Sequence, residues 1–422
     1  MNQAIDQAMR LIEQGATEKG LNKLEDIEKT ANHDTKYTLA QVYFELGLID
    51  RSKVIIDELL ALYPDEGELY TFAAELYIDL DQEDEAIEML LEIKEQDEAY
   101  LQAQLLLADL YQMQGLDEVA EQKLLQAAKR APDEPIISFG LAEFYLDRGD
   151  YGKSIPYYKK VIYSKESLPT EINVDLRMAE AYSANGQFED ALIHYEKGLK
   201  NSEELNAIFG YGYTAYQLGE YKTAIAQFEK LKELDPQYSS LYPYLAKALE
   251  AQESLNEALT AVKEGVAVDE YNDSLFVHAG KLSLKLKQTQ QAEEYLRDAL
   301  ALNPANFEAF RTLAAFLREE ERYDDVIELI AHIKEFGEED PLFEWYLASA
   351  YHHEDQVDKA DKHYQRAIDA FREDADFLEE YGRFLLELGY REKALAYLRK
   401  SVGYDQSRLH LQELIFEIES YS

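Results

Sequence analysis

Twelve times along this chain of 422 residues a small residue, an almost always small residue twelve positions later and a bulky residue four beyond that recur in register, mostly at steps of 34 residues. The first member runs Ala8, Ala40, Ala74, Ala108, Ala142, Ala179, Gly212, Ala246, Gly280, Ala314, Ala348 and Gly382. Its companion is Gly20, Ser52, Ala86, Ala120, Ser154, Ala191, Ala224, Ala258, Ala292, Val326, Ala360 and Ala394, and the bulky member runs from Leu24 and Ile56 through Tyr158, Tyr195 and Phe228 to Tyr364 and Leu398. Two short antiparallel helices whose axes approach to about 8–10 Å need this chemistry: a side chain ending at Cβ where the backbones touch, and a large apolar one beside it to fill the hole. One such hairpin cannot bury its own faces. Stacked copies can, so the pattern predicts an array in which each unit is stabilised by its neighbours and not one central core.

These residues resemble the tetratricopeptide repeat family. The fourth copy carries its motif as Ala108, Tyr111, Gly115, Ala120, Leu124, Ala127 and Pro132, and the seventh as Gly212, Gly219, Ala224, Phe228, Leu231 and Pro236. The resemblance extends from about residue 2 to residue 407, and as a whole the chain is similar to the YpiA-like group of such proteins in Bacillus-type bacteria. It implies an all-α, right-handed α-solenoid of about twelve helical hairpins.

Composition narrows the classes of function. Eighty-five Asp and Glu against 42 Lys and Arg leave a formal net charge of −43, which repels nucleic acid and anionic membrane surfaces and attracts basic protein segments. No run of 18 apolar residues is present, so no membrane span is expected, and the first residues lack a basic and apolar leader. With no Cys there is neither a disulfide framework nor thiol chemistry, which suits a reducing cytoplasm.

Turn chemistry fits the array: Gly47, Gly149 and Gly186 stand at mid-repeat positions where a glycine closes a helix in the left-handed conformation. Pro64, Pro132, Pro236 and Pro304 are expected at the ends of second helices, and Pro156 and Pro243 in first turns. The step from Ala142 to Ala179 is three residues longer than the period, and the segment 163–170 is a candidate hinge. It divides the chain into an N-terminal block (1–170), a C-terminal block (171–407) and a capping helix (408–422) with Leu409, Leu411, Leu414, Ile415 and Ile418 apolar.

The resemblance also implies that first helices line a concave groove with the second, fifth, ninth and twelfth residues of each repeat. The ninth position reads Gln41, Glu75, Asp109, Glu143, Glu180, Tyr213, Lys247, Lys281, Ala315, Ser349 and Arg383, so the lining changes from acidic to basic. Glu68 reinforces the acidic part, Lys285, Arg311 and Arg318 the basic part, and Phe209, Tyr213 and Tyr216 form an aromatic girdle between. From Asp65 to Glu98 fourteen carboxylates face the single Lys94. The expectation is a groove whose acidic end accepts a basic partner segment and whose lysines and arginines take an acidic stretch. Tyr37 and the lone Trp345 fall on lining positions and are candidate contacts; most of the 32 tyrosines are expected in helix packing.

No phosphate-binding glycine loop, dinucleotide fingerprint or nucleophile elbow is present. His352, His353 and His363 with Glu354 and Asp355 lack the spacing of a metal site, the run Asp79 to Glu85 lacks a calcium loop's glycine, and the Lys and Asn pair with which family members clamp a carboxylate terminus is missing from every repeat. The expected function is a non-catalytic scaffold or adaptor that binds other proteins or peptides, without cofactor or metal. The alternative is a peptide-sensing regulator of the Gram-positive receptor type, disfavoured because the repeats begin at the first residues. The oligomeric state is left open.

Overall fold

The computed structural model describes residues 2–164 and 172–420, and the described residues form twenty-five helices and no strand. Hairpins in chain order pair α1 (Asn2–Glu13) with α2 (Thr17–Glu28), α3 (His33–Glu45) with α4 (Ile49–Leu62), α5 (Gly67–Asp79) with α6 (Glu83–Leu91) and α7 (Tyr100–Met113) with α8 (Asp117–Arg130). Next come α9 (Pro135–Asp147) with α10 (Tyr151–Ile162), α11 (Val174–Ala184) with α12 (Phe188–Gly198), α13 (Leu205–Gln217) with α14 (Tyr221–Leu234) and α15 (Leu241–Ala251) with α16 (Leu255–Val268). The last four are α17 (Asp273–Lys285) with α18 (Thr289–Leu302), α19 (Phe307–Glu319) with α20 (Tyr323–Glu335), α21 (Pro341–His353) with α22 (Val357–Ala367) and α23 (Ala375–Glu387) with α24 (Arg391–Tyr404), followed by α25 (Leu409–Ser420).

All thirty-six residues of the repeating triplet are buried. Gly280 shows why the first member must be small. A Cβ added there would stand 2.7 Å from Leu296 Cγ and 3.3 Å from the Ala292 carbonyl, its own bulky and small companions. Ser52 reports the same close approach from the other side, its hydroxyl donating to the Ala40 carbonyl at 2.7 Å.

Asn32, Asn173, Asn272, Asn306, Asp340 and Asp374 cap first helices by accepting a backbone N–H two or three residues on. The turn inside each hairpin is made at one register position, seven residues after the first small residue, and φ is positive there in all twelve hairpins. Glycine occupies it seven times, as in Gly47 (φ +73°) and Gly115 (φ +72°), and Asp81, Glu253, Lys287, Glu321 and Asp355 the other five.

Two compact units make up the chain, Met1–Thr214 and Ala215–Ser422, and the division falls inside α13. The boundary expected after residue 170 rested on the insertion, and residues 165–170 of that candidate hinge lie outside the described residues. In the first unit the hairpins α1 to α12 stack through a chain of apolar clusters, among them Leu39, Tyr43, Ile56 and Leu76 near the start and Tyr158, Met178 and Tyr195 near the end. In the second unit one extended cluster runs from Val277 to Ala394, and α25 continues it by laying Leu411 and Ile418 against Leu398. Leu409, counted with that apolar face from the sequence, is exposed. Pro156 departs from expectation too: it lies in the interior of α10, not its first turn. Pro135 and Pro341 open α9 and α21, where a missing N–H is harmless.

Candidate partner-binding surface

First helices of successive hairpins present their lining positions to shared hollows, because the ninth position of one helix lies beside the second position of the next. In the first unit α3, α5 and α7 enclose a hollow of about 480 Å³ lined by Tyr37, Gln41, Phe44, Glu45, Glu68, Thr71, Phe72, Glu75 and Gln102. In the second, α15, α17 and α19 enclose one of about 760 Å³ that includes Lys247, Glu250, His278, Lys281, Lys285 and Glu308.

The four carboxylates of the acidic row are not equivalent. Glu143 is satisfied inside the protein: Arg177 donates to its Oε2 from Nη2 at 2.6 Å and from Nε at 2.9 Å, and the Tyr158 hydroxyl donates to Oε1. Arg177 also donates to Glu180 at 2.8 Å. Among the described residues Glu75 and Asp109 have no Lys, Arg or His partner; Glu75 receives only the Gln102 amide, at 3.3 Å. Burial, with Asp79 nearby, holds the Glu75 carboxyl above the usual carboxylate range, and desolvation followed by Asp147 does the same at Asp109. Glu180 is also raised, by desolvation against the opposing pull of Arg177. Glu45 and Glu68 are exposed and make no ion pair among the described residues.

The aromatic positions separate in the same way. Phe209 stacks on Tyr213 within α13 at 6.3 Å and 18°, and both are half-buried. Tyr216, beyond the unit boundary, packs against Tyr221 and Tyr244. Trp345, expected as a contact residue, is only 9% exposed and donates from Nε1 to Glu380 at 3.1 Å, so packing accounts for it.

The basic row of the second unit is largely neutralised in place. Lys281 pairs with Glu308, Lys285 with Glu250, and Arg383 with Glu379 at 2.8 Å. Glu250 also meets His278 at 2.8 Å; burial alone would raise its carboxyl, but Lys285 and His278 outweigh burial and hold it low. Arg318 reaches two repeats along to Glu380 at 3.2 Å, the carboxylate that also accepts from Tyr364 at 2.9 Å. An acidic stretch expected at Lys281, Arg318 and Arg383 would have to compete with these internal pairs. Lys247 alone of the three row cations in this unit lacks a carboxylate among the described residues, its ammonium lying 5.6 Å from the centre of the Tyr244 ring. Ser349, in the same row, is buried.

Sequence reasoning passed over Glu45, Phe44 and Phe72 as parts of the first hollow, and Arg177 and Glu380 as neutralising partners. Glu45 directly follows a lining position, a usable signal. The histidines are spoken for: His352 Nε2 meets Glu387 at 2.7 Å, His353 stacks on Tyr323 at 4.2 Å, and His363 Nδ1 meets Glu344 at 2.7 Å. No set of three or more His, Asp or Glu among the described residues could hold a metal ion, and no described helix is long and apolar enough to cross a membrane.

The model of the YpiA-like tetratricopeptide repeats matches residues 112–166, that of the YpiA-like C-terminal repeats residues 341–405, and a general tetratricopeptide repeat model residues 283–344. The TPR repeat-containing protein YpiA of Bacillus subtilis strain 168 is 46% identical over 419 residues, covering 99% of each chain. Among solved structures, YrrB, described as a TPR protein with an unusual peptide-binding site, is 17% identical with a TM-score of 0.40 over 44% of this chain and 96% of its own. The Cut9–Hcn1 assembly is 13% identical with a TM-score of 0.39 over 97% and 95%. At 46% identity across nearly the full length of both chains, this chain belongs to the YpiA-like family of tetratricopeptide repeat proteins.

Proposed function

We propose that the chain is a non-catalytic cytoplasmic adaptor that holds a basic segment of a partner protein against the first helices of its first unit. One observation carries the reading: Glu45, Glu68, Glu75 and Asp109 line or flank that face without a cation of the chain's own, in a unit where burial, and to a lesser degree a neighbouring carboxylate, already holds Glu75 and Asp109 above the ordinary carboxylate range. A cation supplied from outside stabilises the charged form that burial disfavours and offsets the neighbouring negative charge, so a lysine or arginine of a partner gains more here than at a carboxylate already in an ion pair. The row of the second unit, where Lys281 and Arg383 are paired in place, presents no such set of unpaired carboxylates.

The test is charge reversal at Glu68, Glu75 and Asp109 to Lys, with capture of a synthetic basic peptide measured at low and at physiological salt. Capture by the wild type should fall steeply with salt and disappear in the variant. Equal capture by both would remove this surface from the function. A short peptide without basic residues that raises the melting temperature of wild type and charge-reversed chain alike by several degrees would favour the peptide-sensing alternative over the adaptor.

A further inference from the structure

The hollow between α3 and α5 has a chemistry more specific than negative charge. Phe72 is its buried centre, with Tyr37 set edge-on at 5.8 Å and 80° and Phe44 at 5.5 Å and 87°, both half-buried and lining the opening. Glu45, Glu68 and Glu75 line the same space, and Gln102 steadies Glu75 from α7. We propose that this hollow seats one arginine side chain of the basic segment in preference to a lysine, and so decides which basic sequences the chain accepts; the proposal rests on the reading of the first unit given above.

Two features select the guanidinium, and a third gives it room. Rings placed beside carboxylates serve a planar cation that stacks on one and donates in parallel to the other, which a guanidinium does and a compact ammonium does not. A guanidinium is also more weakly hydrated, so it loses less on entering a half-buried aromatic space. Finally, about 480 Å³ lies within the roughly 300–1,000 Å³ of pockets that enclose a defined group, so the hollow holds a whole extended side chain with part of its backbone. Burial raises the Tyr37 hydroxyl, and the Glu68 and Glu75 carboxylates raise it further, which puts those two charges within electrostatic reach of the ring at the opening.

Because a chain of net charge −43 binds any polycation to some extent, the diagnostic quantity is a ratio of affinities. The full chain is titrated by fluorescence anisotropy with dye-labelled decapeptides of alternating Arg and Ala, Lys and Ala, and citrulline and Ala. The arginine peptide should bind about tenfold more tightly than the lysine peptide, and the citrulline peptide not measurably. In Tyr37→Leu the ratio should fall towards one while both charged peptides still bind, and in the exposed variant Glu45→Gln, which leaves packing untouched, it should fall by about half or more. Circular dichroism melts of both variants establish that the fold persists. Equal binding of the two charged peptides by wild type, or a ratio that survives Tyr37→Leu and Glu45→Gln, overturns the arginine seat while leaving the acidic surface standing. Absence of binding to any of the peptides removes both.

Discussion

The register position that turns each hairpin offers a direct measurement of backbone strain. Asp81, Glu253, Lys287, Glu321 and Asp355 hold φ between 55° and 61°, are exposed, and take part in no side-chain hydrogen bond or ion pair among the described residues. Left-handed backbone costs an L-residue roughly 1–2 kcal/mol, and glycine at the same place escapes that cost but loses roughly 0.5–1 kcal/mol more in chain entropy on folding. Replacing each by glycine should therefore stabilise by about 0.5–1 kcal/mol. Lys287→Gly and Glu321→Gly should lie at the upper end, and Asp81→Gly and Asp355→Gly at the lower, because Asp tolerates this region better. The four sites in the second unit lie in successive repeats, far enough apart to add, which gives about 2–4 kcal/mol together. Urea unfolding followed by far-ultraviolet circular dichroism and by Trp345 fluorescence reads this locally, since the only tryptophan is packed in that unit. The reverse substitution is the control. At Gly47 nothing lies within 4 Å of an added Cβ, so the same balance of strain against chain entropy applies in reverse and Gly47→Ala should cost about 0.5–1 kcal/mol. A neutral Gly47→Ala, or a Lys287→Gly that lowers the urea midpoint, would refute the argument from strain.

Acidification should affect the two units differently. Glu293 is held below the usual carboxylate range by Arg322, and in Glu344 and Glu379 the ion-pair partners outweigh the burial that would raise them, so the stability they contribute is present above the ordinary carboxylate pKa and lost as pH falls through their lower folded values. Glu75, Asp109 and Glu180 have raised folded values, so protonating them adds stability as pH falls; hydrogen exchange carried from about pH 5 to about pH 2.5, corrected for the intrinsic rate, should show the second unit losing protection before the first. Glu380→Ala strands the Trp345, Tyr364 and Arg318 donors and should cost about 2–4 kcal/mol, visible as a shift of Trp345 emission to longer wavelength, whereas an unchanged spectrum means the indole is held by packing alone. Gly280→Val drives a branched side chain into Leu296 and should destabilise by about 1–3 kcal/mol in urea unfolding.

The repeating triplet was legible in the sequence because close packing is enforced within one hairpin: Gly280 meets Ala292 and Leu296, and the same three offsets recur in every copy. The electrostatics of the lining were less legible, since reading one position down the repeats follows a column while ion pairs run between columns. The ninth residue of a first helix lies beside the second residue of the next, 27 positions on when the step is 34. Lys281 meets Glu308 in this way and Glu75 meets Gln102. Applied down the row, the offset accounts for four of its seven charges. Glu75 faces neutral Gln102, Asp109 faces Ile136 and Lys247 faces Ser274, and none of these three charges has an oppositely charged partner among the described residues, whereas Lys281 faces a carboxylate and is paired. Glu143, Glu180 and Arg383 depart from it for local reasons: the longer step after Glu143 sets Asn173 at the facing position, and Arg177, one turn further along α11, bends back to both Glu143 and Glu180, while Arg383 pairs with Glu379 one turn back on its own helix. A row charge is thus left for a partner where its neighbour in the next repeat is neutral and no cation or carboxylate one turn away on its own or an adjoining helix reaches it, and in the first unit the two that meet both conditions, Glu75 and Asp109, are carboxylates.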